Sequence, residues 1–420
     1  MAEKNKLNEG DAVTLSLTSM ANGGAAMGRD SEDRAIFVPF TIPGEKVMVE
    51  ITSSKARYAH GRAVEILAPS DERIEPKCKH FGVCGGCHFQ HIDYSAQLRY
   101  KEHVIRDQLQ RIGKFESPPI RPVLANPEPW SYSSEAVFYP SKGDKLGFWS
   151  PFIGEIIPIA ECPILKEELQ EIFQQVDLNL PSLRRLLLRA STDEGVLAAL
   201  EIGDSEAPSL ETDLPISVNL IISDGTTVNL IGDNHTVHEI KGRTFRATAS
   251  SDFYPSAAAA EVVIDAVLEF VSPVQPKRIV ELFSGVGLLT AFLAGSAKIV
   301  EGVESSADAV ADLAANLEDK DNVSLYQGEP GEILPILDKS PDVMVLQPPA
   351  SGLKPDEVDK VALLEPQNLI YVSSDIATLA RDGRRLAQKG FDLLEVQPVD
   401  MRPQTFHALT ISHWEAGIPR

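Results

Sequence analysis

Positive charge is scarce in this chain. Its 420 residues carry 39 Lys and Arg against 61 Asp and Glu, a formal net charge of −22. Taken over the whole molecule, that balance argues against nucleic acid as a partner, because such proteins present a basic face. No apolar run approaches the roughly 18 residues a membrane helix needs, so no membrane partner is expected. The opening stretch, "MAEKNKLNEGDAV", has no apolar signal core, so a cytoplasmic location is expected. Cysteine is sparse, with four residues, and in that compartment disulfides are disfavoured. There is no short-period repeat and no long low-complexity tract.

What is present describes a globular protein: 43% hydrophobic and 24% charged residues. The length exceeds one ordinary core and predicts two or three domains. Charge is unevenly spread. Up to Phe115 there are 16 Lys and Arg against 15 Asp and Glu, and beyond it 23 against 46. A phosphate backbone would therefore meet the first hundred or so residues, near Lys46, Lys55, Arg57 and Arg62. Residues 1–70 read as short strands punctuated by "NGG" and "PGE", the pattern of a small β-barrel. Residues 71–249 hold a cysteine loop, a helix and a β-rich stretch. Residues 250–420 alternate strands with amphipathic helices, which predicts an α/β unit with a doubly wound, Rossmann-like parallel sheet.

Three of the four cysteines lie in "CKHFGVCGGC", as Cys78, Cys84 and Cys87; the fourth is Cys162. The glycines between Cys84 and Cys87 let the backbone wrap closely around a bound group. Structural zinc and an iron–sulfur cluster both suit this spacing, which does not separate them.

In "RIVELFSGVGLLTAFLA" a strand ending near Phe283 runs into Gly285 and Gly287, then a helix from about Val286. Glycines there let a ligand approach the helix N-terminus. The next strand ends at Glu304, whose carboxylate suits a ribose diol. NAD and S-adenosylmethionine both fit. The final segments "FDLLEVQPVDM" and "HALTISHW" read as a terminal hairpin with a reversed last strand, the pattern of methyltransferase sheets. Gln347 precedes a rigid Pro348-Pro349 turn at the fourth strand's tip. The fifth strand delivers "YVSSDIATLARD", with Ser373, Ser374 and Asp375 where ligands gather.

Taken together, these motifs resemble the RNA uracil-5-methyltransferases, which methylate C5 of uridine in tRNA or ribosomal RNA. The resemblance is nearly chain-long. "ANGGAAMGRDSEDRAIFVPFTIPGEKVMVEI" is similar to the TRAM domain, an RNA-binding barrel, and implies RNA binding through the N-terminal barrel. The cysteine loop together with "CPIL" at Cys162 implies a [4Fe–4S] cluster on all four cysteines. "ELFSGVGLLT" resembles the adenosylmethionine loop, which places Tyr254, Phe283, Gly285, Gly287, Glu304 and Gln347 around that cofactor.

The departures fall on the chemistry. Members of the family carry the nucleophilic cysteine where this chain has Ser374, and the general base, a glutamate, where it has Leu409. Gln347 replaces an aspartate, Tyr254 a glutamine, and Ser133, Ser134 and Glu135 a basic RNA-facing patch. Uracil C5 becomes nucleophilic only after a thiolate adds to C6, and a base must then remove the C5 proton. A serine hydroxyl without a partner base supplies almost no alkoxide, and leucine takes no proton. Ser374 is therefore expected to serve only as a helix N-cap, a role Asp375 could share. The expected protein is a monomeric, catalytically deficient RNA-binding iron–sulfur homologue, with adenosylmethionine binding weak or lost. An active methyltransferase with a rewired site and an iron–sulfur scaffold without RNA are the alternatives.

Overall fold

Alternation of inward apolar and outward polar residues builds the first unit. In the computed structural model, β1 (Ala12–Met20), β2 (Ala26–Arg29), β3 (Ala35–Val38), β4 (Lys46–Ser54) and β5 (Tyr58–Ala68) close a barrel in the order β1-β2-β3-β5-β4. On β4, Val47, Val49 and Ile51 point inward and are buried, while Lys46 faces out. The structure describes residues 7–417 except 144, 179, 194, 207, 209 and 210. Residues 1–6, where the signal-core reading begins, lie outside the described residues.

After the cysteine loop comes α1 (Tyr94–Arg111), capped by the Asp93 side chain, which accepts from Ser95 N. Strands β6 (Glu135–Ser141), β7 (Lys145–Ser150) and β8 (Glu155–Pro158) are followed by α2 (Glu167–Gln175). With β9 (Leu183–Ala190), β10 (Val196–Ile202), β11 (Ile216–Ile221) and β12 (Thr227–Ile231) they form a seven-stranded sheet, ordered β12-β11-β10-β9-β6-β7-β8. Leu169, Ile172 and Phe173 of α2 pack on it, Phe173 stacking on Phe138 at 4.4 Å. A hairpin, β13 (His235–Ile240) and β14 (Arg243–Thr248), leads into the last unit.

That unit contains α3 (Ala257–Val271), β15 (Arg278–Leu282), α4 (Leu288–Leu293), β16 (Ile299–Glu304), α5 (Ala307–Asn316), β17 (Val323–Gln327) and α6 (Pro330–Ile333). It continues through β18 (Val343–Leu346), α7 (Pro355–Leu363), β19 (Asn368–Ser373), α8 (Ile376–Gln388), β20 (Phe391–Val399) and β21 (Leu409–Ala416). The sheet order is β17-β16-β15-β18-β19-β21-β20, with β21 antiparallel to both neighbours. The reversed terminal hairpin expected from sequence is therefore present. Every residue of β18 is buried, as a central parallel strand covered on both faces requires. One face packs on α3, α4 and α5, and the other on α1, α7 and α8.

Residues 94–124 pack with this sheet although they lie far from it in sequence. Ile105 and Leu109 of α1 join the core that holds Leu282, Met344 and Trp414. Ile120 and Leu124 pair with Val396 and Val399 along β20. Lys101 and Asp400, both fully buried, are joined at 2.6 Å. Gln97 Nε2 donates to Gln404 Oε1 at 2.9 Å, and Gln404 N donates back to Gln97 Oε1 at 3.0 Å.

Candidate functional site

Three groups of residues meet the sequence expectations, each with a different outcome. The first is the cysteine loop. Cys78, Cys84, Cys87 and Cys162 all line one cavity of about 350 Å³. Cys78 N donates to Gln90 Oε1 at 3.0 Å and Cys162 N to Gln170 Oε1 at 2.7 Å, so amide side chains set both backbones. Gly85 is required here, because a Cβ would lie 2.1 Å from the carbonyl oxygen of Trp149, where β7 crosses the loop. Burial pushes the Cys162 thiol up to about 12, and Cys87 is raised further by burial and by the facing Cys162. Among the described residues, no three His, Cys, Asp or Glu side chains converge tightly enough to hold a single metal ion.

The second is the glycine loop after β15. Phe283, Gly285 and Gly287 all have left-handed φ values, of 62°, 55° and 86°. Gly287 caps α4, so the helix begins at Leu288, later than the sequence suggests, because a residue in that conformation cannot be helical. Glu304 turns onto the loop: Oε2 accepts from Gly285 N at 2.9 Å, and Oε1 accepts from Ser305 N and Ser306 N at 2.7 and 2.8 Å. Beneath it Glu281, invisible as a site residue in the sequence, is buried and accepts from Thr290 Oγ1 at 2.5 Å. Burial, with nearby Glu304 adding to it, pushes the Glu281 carboxyl up to about 8. The Tyr254 hydroxyl is buried against Gln347, without a partner at hydrogen-bonding geometry, and burial raises its pKa. The Tyr254 side chain therefore reaches the tip of β18, beside the loop that would hold a cofactor.

The third is the turn after β19. Ser373 is buried, and its hydroxyl donates to Asp375 O at 2.9 Å. Asp375, not Ser374, caps α8: its side chain accepts from Thr378 N at 2.8 Å. The N-cap expectation for Ser374 is thus corrected. The first helical residue is Ile376, and the cap belongs to the residue directly before it. Ser374 itself is exposed. It borders a cavity of about 20 Å³ shared with Asn22, Phe406 and His407. That volume holds about one water. No hydrogen bond joins Ser374 to His407 among the described residues. Burial and the cations Arg402 and Lys101 hold His407 down to about 4. Leu409 opens β21 and is buried in the core that contains Val372, Val399 and Met401. Its side chain is core packing in a place where a proton acceptor was sought.

The segment between β20 and β21 is fixed from below. Gln404 has φ 67°, and its carbonyl accepts from His88 N and Phe89 N, each at 2.9 Å. This node joins the cysteine loop to Leu409, and sequence reading missed it because the partners are some 300 positions apart. Ser133 and Ser134 are buried too, and Glu135 pairs with buried Arg189 at 2.6 Å. Where the resemblance implied an RNA-facing patch, these side chains are engaged inside the protein.

A barrel, a β-rich unit with four cysteines lining one cavity and a seven-stranded sheet with a reversed last strand define a methyltransferase architecture. Residues 6–64 match the TRAM domain. The chain is 31% identical to an uncharacterized RNA methyltransferase of Thermosynechococcus vestitus, over 96% of this chain and 98% of that relative. It is 30% identical to one of Bacillus cereus, over 89% of this chain and 90% of the relative. The tRNA (uracil-54, C5)-methyltransferase of Pyrococcus abyssi, solved with S-adenosyl-L-homocysteine, shares the fold. Its TM-score is 0.72 at 22% identity, over 95% of this chain and all of that one. The chain belongs to the RNA methyltransferase family.

Proposed function

We propose that this protein is an RNA-binding, cluster-bearing member of its family that forms no 5-methyluridine in tRNA or ribosomal RNA. The observation that carries the reading is Leu409 packed among Val372, Val399 and Met401, together with a Ser374 that has no hydrogen-bonded base among the described residues. Bound adenosylmethionine would supply an electrophilic methyl group beside the β15 loop. Gly285 and Gly287 would give it access to the backbone, and Glu304 would take its ribose hydroxyls. The protein's own residues must then raise electron density at uracil C5 and remove its proton. Ser374 offers a hydroxyl of ordinary acidity, His407 is neutral but unbonded to it, and Leu409 offers no lone pair.

Binding of adenosylmethionine is weak in this reading, because Tyr254 occupies the approach to Gln347 and the aspartate of the family is absent. The four thiols that line the 350 Å³ cavity would supply the all-sulfur donor set of a [4Fe–4S] cluster, and formation of such a site is coupled to folding. No described helix is long and apolar enough to cross a membrane.

The test is transfer of a tritiated methyl group to unmodified RNA by the full chain, followed by nucleoside analysis. No 5-methyluridine is expected, with Ser374→Cys alone also inactive. Robust product from the wild-type protein would overturn the reading.

A further inference from the structure

Three aromatic rings gather on the outside of the barrel, where its core has no use for them. β3 and β5 run parallel, with Ala35 beside Tyr58 and Phe37 beside His60. Their inward neighbours Ile36, Val38 and Ala59 are fully buried. Phe37, Tyr58 and His60 therefore face outward. They touch one another, with ring centroids 5.5 Å apart for Phe37–His60 and for Tyr58–His60, and 6.4 Å for Phe37–Tyr58. Tyr58 is 42% exposed and His60 is also exposed. An outward aromatic cluster leaves apolar area in water, which favours a ligand with flat apolar faces.

The local charge identifies that ligand's chemistry. Residues 55–64 hold Lys55, Arg57 and Arg62 and no Asp or Glu, in a chain of net charge −22. Arg62 pairs with Glu50 at 2.7 Å, whereas no ion pair of Lys55 or Arg57 occurs among the described residues. Flat faces flanked by unpaired cations match unpaired nucleobases on a phosphate backbone.

We infer that Phe37, Tyr58 and His60 form a stacking platform for unpaired RNA bases, with Lys55 and Arg57 holding the adjoining phosphates. The inference rests on the RNA-binding reading above and adds to it a surface and a preference for single strands. Stacking does not read base identity, so the platform tolerates any sequence.

The experiment is fluorescence anisotropy of the full chain with a labelled oligouridine 12-mer and with duplex RNA of equal length, across a salt series. The single strand is expected to bind more tightly. Tyr58→Ala should weaken it by about five- to a hundredfold with an unchanged salt slope, and Tyr58→Trp should retain binding. The double change Lys55→Ala, Arg57→Ala should flatten the slope by about 0.7 for each phosphate left without its cation. Should Tyr58→Ala unfold the barrel in a thermal scan, exposed His60→Ala replaces it, with the same loss expected. Wild-type affinity in the folded ring variants, or preference for the duplex, overturns the platform and leaves RNA binding standing. Absence of any RNA binding by the wild type overturns both.

Discussion

Replacing Leu409 by glutamate places a carboxyl group in an apolar cluster, and the cost can be worked from what surrounds it. Leu409 is 8% exposed and packs with Val372, Val399, Met401 and Ile411. Removing a buried leucine side chain forfeits about 1.5–3 kcal/mol of apolar burial. Burying a neutral carboxyl without full hydrogen bonding costs about 1–3 kcal/mol more. The variant should therefore lose about 2.5–6 kcal/mol near pH 5, where the buried carboxyl is protonated. Burial raises its folded-state pKa above the unfolded value of about 4.3. Protons then bind more tightly to the folded protein, so the deficit is smallest below the unfolded pKa. It grows as pH rises toward the folded pKa, by about 1.4 kcal/mol for each unit between the two. Calorimetry of wild type and Leu409→Glu at pH 5 and pH 8 should show a lowered transition at both, and a larger gap at pH 8. An unchanged transition at both values would mean that position 409 opens to solvent and can seat a base. The packing argument against catalysis would then fail.

Anaerobically purified protein should be brown, with about four irons per chain by elemental analysis, and Cys87→Ala should be colourless and less stable; stoichiometric zinc in a colourless sample would refute the cluster. Calorimetric titration should find adenosylmethionine binding weaker than micromolar, and Tyr254→Gln should tighten it about ten- to a hundredfold by clearing the approach to Gln347 and restoring a polar group. Lys101→Met should destabilise the protein by about 3–5 kcal/mol in denaturant titration, because it leaves Asp400 buried and unpaired, while Lys101→Met with Asp400→Leu should recover most of that loss.

The C-terminal sheet was legible because a strand buried on both faces reads as an unbroken apolar run. Val343–Leu346 is one, and the glycine loop announces the turn that follows β15. The grouping of Cys162 with the other three cysteines along one cavity came from the resemblance, since spacing alone says nothing about a residue 75 positions away. Contacts between distant segments were not legible. Lys101 looks like one more charge on a helix until Asp400 is beside it, and Gln97 has no local sign of its exchange with Gln404. The sequence offered both Ser374 and Asp375 as the cap of α8, because serine and aspartate are both good N-caps, and only the backbone selects Asp375. Ser133, Ser134 and Glu135 were visible as changes, but only the packing shows that they turn inward.

The chain divides cleanly in sequence but not in its packing. A fragment starting near residue 250 would retain every strand of the last sheet. It would still leave the face lined by Leu282, Met344 and Trp414 without the Ile105 and Leu109 side of α1. It would strip β20 of its pairing at Val396 and Val399, and it would strand Asp400 without Lys101. The methyltransferase-type sheet thus borrows one of its covering helices and an edge segment from residues 94–124, which precede β6. Expression of the sheet alone should give aggregation-prone material, and a soluble minimal unit must begin before Tyr94.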